Sequence, residues 1–227
     1  MKVLFISDIH ANLEALKAVE TLFKKVDKVV CLGDVVGYGS HVNEVIDLIR
    51  SYEIPTIMGN HDYFVIEGFE HFGKNLNEAV LFGLDEAKAK ITESNLKWLS
   101  RLPLNYGFLA EDKSIFCSHG SPWDPLREYV YPDYKSFDRF KEFNYDVIAM
   151  GHTHRMVQKN NLSQLVINPG SIGQARDLEG KACAMIYDSD KNSIEKVILD
   201  YDFQKELEYS VSCGAKDWVF KHFASVL

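Results

Sequence analysis

Five short stretches of the 227-residue chain carry side chains able to hold metal ions. They are Asp8 and His10 in SDIH, Asp34 in GDVV, Asn60 and His61 in GNHD, His119 in SHG, and His152 with His154 in GHTH. Taken singly, each is commonplace. An Asp at a strand end usually makes a turn or caps a helix, and a lone His is more often a surface or core residue than a ligand. Together they offer seven donors, Asp8, His10, Asp34, Asn60, His119, His152 and His154, each at the end of an apolar run. Imidazole suits Zn, Mn, Fe, Co or Ni, whereas all-oxygen sites suit Mg and Ca. Structural zinc takes four ligands, often Cys. Seven donors without Cys suit two ions that share a carboxylate. Ions ~3.5–4 Å apart stabilise the attacking and leaving oxygens of an in-line displacement. Two divalent ions with two carboxylates leave the site positive, so a phosphate ester is a natural guest.

These donors need rigid elements behind them. Lys2 to Ser7 reads as a strand; alternate residues of a strand share a face, which would send Asp8 and His10 out side by side. Asn12 can cap a helix with Leu13, Leu16, Val19, Leu22 and Phe23 at helical spacing. Lys28 to Leu32 predicts a second strand, HVNEVIDLIRSY a second helix, and PTIMGNHDY a short third strand. Three such units suggest a parallel sheet covered by helices. Leu76–Ala89, Leu96–Leu102, Phe137–Phe143 and Phe203–Leu227 read as helical. SIFCSHG, DVIAMGHTH, Leu165–Ile167, Ala182–Tyr187 and Ile194–Leu199 read as strands. In open α/β sheets ligands bind beyond the carboxyl ends of the strands, so the tips converge on one crevice.

Composition sets the limits. Net charge is -8, with 33 acidic and 25 basic residues and no Lys/Arg block, which disfavours polymeric nucleic acid. The apolar start, Val3 to Ile6, is too short for a signal-peptide core, and no stretch approaches the ~20 apolar residues of a membrane span. Cys31, Cys117, Cys183 and Cys213 are scattered and read as reduced thiols. No repeat or linker divides the chain. The expectation is a single cytoplasmic domain over residues 1–227 with no membrane partner, its oligomeric state open.

The ordered set SDIH, GDVV, GNHD, SHG and GHTH resembles the calcineurin-like metallophosphoesterases. INPGSIGQARD, residues 167–177, is similar to the segment after GHTH in small single-domain bacterial members of the YfcE-type phosphodiesterase group. The resemblance fades after about Leu199. It implies a sandwich of two mixed β-sheets flanked by helices, an α/β fold with metals at one edge. Asp8, His10 and His154 match the ligands of one ion, Asn60, His119 and His152 those of the other, and Asp34 the bridging carboxylate. His61 matches a histidine near the leaving group, and Asp62 the acid that orients it. The cofactors implied are two divalent transition-metal ions, Mn, Fe, Zn, Ni or Co, with manganese favoured.

On this reading a hydroxide between the ions attacks phosphorus, and His61 protonates the leaving oxygen with Asp62 raising its proton affinity. Serine/threonine phosphatases of the superfamily carry GDxVDRG, whose Arg grips phosphate; here Tyr38 stands in its place. A phosphodiester carries less charge and suffers less from that loss. The expected substrate is therefore a small phosphodiester, a cyclic nucleotide or nucleotide-derived. A phosphomonoesterase or phosphoprotein phosphatase is the alternative, and a scaffold without catalysis a weaker one. The loop Ser121–Tyr134, with Trp123, Tyr129 and Tyr131, should overhang the site; its rings stack on a base or simply pack the loop. Arg127 and Arg176 could touch phosphate, but solvated surface is the better reading of each.

Overall fold

The computed structural model describes residues 1–70, 76–161, 164–178 and 180–216. The first half holds β1 (Lys2–Ile6), α1 (Leu13–Glu20), β2 (Lys28–Cys31), α2 (Val42–Ser51), α3 (Asn60–Glu67), α4 (Glu78–Lys90) and α5 (Glu93–Leu99). The second holds β3 (Asn105–Ala110), β4 (Lys113–Ser118), β5 (Val147–Ala149), β6 (Met156–Asn161), β7 (Gln164–Pro169), β8 (Lys181–Asp188), β9 (Ser193–Asp200) and α6 (Phe203–Ser212). They form two sheets, in the orders β2-β1-β8-β9 and β3-β4-β5-β7-β6. Both are mixed: β1 runs parallel to β2 and antiparallel to β8, while β4, β5 and β7 are parallel and β3 and β6 antiparallel at the edges.

The sheets pack face to face. Val3 and Phe5 of β1 point between them, against Ile115, Cys117, Val147 and Ile167. Leu4 and Ile6 point the other way, against Leu16 and Val19 of α1 and Val45 and Ile49 of α2. Burial on both faces explains why Val3–Ile6 is an unbroken apolar run rather than an alternating one. The outer face of the second sheet, Ile148 and Val166, is covered by Phe137, Phe140 and Val130.

Several expectations change. The third strand is one parallel bridge, Thr56 to Cys31, because the chain turns at Gly59 directly into α3, so the first three strand–helix units supply only β1 and β2 as paired parallel strands. Helix Phe137–Phe143 is a 3₁₀ turn over Phe137–Glu142. Strands β3 and β6 escaped sequence reading because both are edges with exposed residues, such as Gln158, Lys159 and Asn160, and so lack an apolar run. The terminal helix is α6; residues 217–227 lie outside the described residues.

Candidate metal centre

Parallel pairing brings the tips together at one end. After β1, Asp8 N–H donates to Gly33 O and His10 N–H to Asp34 O, each at 3.0 Å, joining the first two tips. Gly151 N–H donates to His119 O at 2.8 Å and joins the tips of β4 and β5. His152 N–H reaches Asp8 Oδ2 at 3.0 Å and joins the two sheets.

Strand alternation is not what aligns the donors. β1 stops at Ile6 and β5 at Ala149. Asp8, His10, Asp34, His152 and His154 all lie in loops with φ between 52° and 70°, a left-handed region that costs non-glycine residues ~1–2 kcal/mol each. Such strain persists where the surroundings fix it and clusters at functional sites. Here it turns consecutive tips inward. Two glycines are required by the crowding: a Cβ on Gly59 would lie 2.1 Å from Asp34 Oδ1, and one on Gly151 2.0 Å from Ser7 Oγ.

The donors form two groups, Asp8, His10, Asp34 and His154, and Asp34, His119 and His152, with ligand atoms within 4.8 Å of one another in each. Asp34 belongs to both. His154 Nε2 lies 3.0 Å from His10 Nε2 and 3.2 Å from Asp8 Oδ1. His119 Nε2 lies 3.3 Å from Asp34 Oδ2 and 3.1 Å from Asn60 Oδ1, which brings Asn60 to the second group. The seven expected ligands are thus gathered in one place.

Each carboxylate divides its oxygens. Asp8 Oδ2 accepts from Ser7 Oγ and His152 N, and Asp34 Oδ1 accepts from His61 N at 2.8 Å. Asp8 Oδ1, Asp34 Oδ2 and His152 Nε2 are buried with no hydrogen-bond partner. Such atoms are costly to bury, and here they face one another. The imidazoles are oriented in the same sense. Nδ1 of His10, His119 and His154 donates to the carbonyls of Val36, Leu32 and Gln174 at 3.2, 2.8 and 2.8 Å, which turns their Nε2 atoms inward. This donor set fits divalent transition metals.

The charges agree. Burial opposes ionisation of Asp34 and Asp8, yet the surrounding histidines outweigh it and hold both carboxyls below the usual range. Burial pushes His10 well down and His152 to about 3. His119 is the exception: despite burial, Asp34 raises it to about 9.

Asp62 departs from its expected role. Its Oδ1 accepts from Val35 N and Val36 N at 2.9 and 3.1 Å, and its Oδ2 from Gly59 N at 3.0 Å. His61 Nδ1 has no hydrogen-bond partner, so Asp62 ties the second tip to the start of α3 rather than holding the imidazole. The reason is that residues 60–62 are the first turn of α3, which aims a third-position carboxylate back at the helix start. Burial pushes His61 down to about 4, against the expected rise.

Sequence reading missed the bracing role of three polar residues, one of which, Asn12, it read only as the cap of α1 that it also is. Asn168 Nδ2 donates to Gly151 O and Thr153 Oγ1, Ser171 Oγ donates to Asp8 O, and Asn12 Nδ2 donates to Gly173 O. They brace the tips from behind; the segment 167–177 that carries two of them was legible only by its resemblance.

A cleft of about 370 Å³ opens beside the donors, and its lining includes Tyr38, His61, Arg127, Tyr129, His152 and Arg176. Arg127 and Arg176 therefore face the cleft rather than plain surface. Tyr129 stacks on His152 at 3.7 Å between ring centroids, while Trp123 packs on Phe140 and Phe143 and holds its loop to the body.

Residues 1–192 match the family model described as the calcineurin-like phosphoesterase superfamily domain. The chain is 38% identical, over 94% of its length and 93% of the relative's, to an uncharacterized protein of Methanocaldococcus jannaschii. It is 24% identical to a protein of the same organism named a phosphodiesterase, over 76% of this chain and 99% of that one. In structure it is similar to a metallophosphoesterase from Sphaerobacter thermophilus, with a TM-score of 0.81, 27% identity and 98% of each chain covered.

Proposed function

Since the chain belongs to the calcineurin-like phosphoesterase superfamily, we propose that it is a dinuclear metal-dependent phosphodiesterase acting on small, nucleotide-sized phosphodiesters. The observation that carries the reading is Asp34, shared by two donor groups with one oxygen buried and unpartnered. Asp8, His10 and His154 would hold one ion, Asn60, His119 and His152 the other, and Asp34 both. Two divalent ions, manganese favoured, supply positive charge to the phosphoryl oxygens and acidify the attacking water.

The chain's own groups do the rest. His61, on the cleft wall, donates a proton to the leaving oxygen. Burial keeps its ring neutral near pH 7, and an anionic phosphate beside it restores the proton affinity it needs. Tyr129, stacked on His152 and on Tyr131, adds an apolar edge to the cleft beside the donors. The cleft volume suits a mononucleotide-sized ligand.

The test uses protein stripped by chelator and reloaded with Mn²⁺. Hydrolysis of bis(p-nitrophenyl) phosphate should depend on metal and exceed that of p-nitrophenyl phosphate. Faster monoester turnover would make it a phosphomonoesterase, and absence of metal-dependent turnover of either would refute the reading.

A further inference from the structure

Arg176 lies beyond the ligand-bearing tips, yet its backbone is fixed. Its backbone N–H donates to His154 O at 3.0 Å, two residues after Gln174 O holds the His154 ring. Its side chain enters the cleft that Tyr38 also lines, close enough for the guanidinium charge to act on the Tyr38 phenol. Tyr38 is itself clamped. It is 4% exposed, meets His10 edge-on at 4.7 Å and lies against His61 at 4.9 Å. Tyr38 and Arg176 line the same cleft as Asn60, His61 and His152, and among the described residues its lining includes no Asp or Glu. In a chain with 33 acidic residues, the described lining carries two arginines and no acid.

We infer that Arg176 grips a non-reacting phosphoryl oxygen of the substrate and that Tyr38 is the positioning residue that aims it. A guanidinium presents five N–H donors in a planar fork matched to phosphate. The Tyr38 phenol oxygen, on the same cleft wall, is an acceptor that would hold one edge of the fork and leave the other N–H groups for the ligand. Holding the fork beforehand saves the side-chain entropy that a free Arg loses on binding. The inference rests on the phosphoesterase reading for what is bound, but it concerns anion affinity and can be measured without turnover.

The experiment titrates inorganic phosphate into Mn²⁺-loaded protein by calorimetry, alongside steady-state kinetics on bis(p-nitrophenyl) phosphate. Arg176→Gln should bind phosphate ~10- to 100-fold more weakly, the range set by losing charged hydrogen bonds, at unchanged metal content. Arg176→Lys should recover part of the affinity. Tyr38→Phe keeps the ring packing and should raise KM several-fold with little change in kcat. Arg176→Gln protein that binds phosphate like wild type overturns the inference. Should that variant lose metal, Tyr38→Phe at full occupancy decides, and an unchanged phosphate affinity and KM overturn it. The two readings fail separately. Wild type that hydrolyses the diester while Arg176→Gln matches it refutes the grip alone. Wild type that holds phosphate through Arg176 but turns over no ester refutes the phosphoesterase reading alone.

Discussion

The Oδ1 atom of Asp34 accepts the backbone N–H of His61 at 2.8 Å. One oxygen of the carboxylate is thereby fastened to the first turn of α3. The other is left 3.3 Å from His119 Nε2 and 3.8 Å from His10 Nε2, between the two donor groups. The bridging role proposed for Asp34 rests on how the first oxygen is occupied as much as on the spacing of the histidines.

Asp34→Asn should weaken both ions, because the shared charge that offsets their mutual repulsion is gone. The expected drop is ~10-fold or more for each, the scale of losing even an outer hydrogen-bond partner. His10→Ala or His119→Ala should mainly affect one ion. Metal titration followed by calorimetry checks this, and one ion bound at wild-type affinity in Asp34→Asn would remove the bridging role.

His61→Ala should separate chemistry from metal binding. The His61 ring is in neither donor group, so both ions should stay. Turnover should fall ~10²–10⁴-fold, the usual contribution of a general acid, and the fall should grow with leaving-group pKa. Matched diesters with alkyl and nitrophenyl leaving groups give the slope. A flat series would reduce His61 to a phosphate contact.

The site was legible because ligand chemistry restricts residue type: Asp8, His119 and His154 can be picked out wherever they fold. How the donors meet was less legible. Strand alternation predicted the shared direction of Asp8 and His10, but left-handed loop residues create it, and backbone strain in non-glycine residues leaves no mark in composition. Asp62 was misassigned because adjacency to His61 was taken for contact, whereas the helical turn sends its carboxylate to the backbone of Val35, Val36 and Gly59. Arg176 read better as surface than as a phosphate contact because a single sequence does not show that the loop after β7 reaches the cleft lined by Tyr38.

Metal binding should release a proton. Asp34 raises His119 to about 9, so near pH 7.5 the metal-free ring is protonated and must lose its proton to become a ligand. Affinity for the second ion should climb by up to ~10-fold per pH unit until about pH 9, one proton being displaced per ion. The sign for the metal-free protein follows from a raised histidine. Its stabilisation is full below the unfolded value near 6.5 and is lost as pH rises through about 9. Calorimetry in buffers of different ionisation heat counts the proton. A count of zero at pH 7.5 would mean that the ring is already neutral.

Asp62→Ala should damage the fold of the site without the signature of a lost acid. Asp62 is fully buried, and removing its carboxylate strips acceptors from three backbone N–H groups. Each buried donor left unsatisfied costs ~1–3 kcal/mol, less where water enters. A chain of this size loses ~2–4 °C in Tm per kcal/mol, so a drop of several degrees is expected. Asp62→Asn keeps one oxygen for Val35 and Val36 but faces Gly59 N–H with a second donor, and should fall between. Burial pushes Asp62 up to about 7 in the metal-free protein. For a carboxyl raised in this way the stabilisation is greatest below its unfolded value near 3.8 and fades as pH rises through about 7. The Tm gap between wild type and Asp62→Asn should therefore narrow from pH 5.5 to pH 8.5. Kinetics separate the two roles: loss through displaced Asp34 and Asn60 should be the same for good and poor leaving groups. A loss in Asp62→Asn that tracks leaving-group pKa as steeply as in His61→Ala would return Asp62 to the role of orienting the acid.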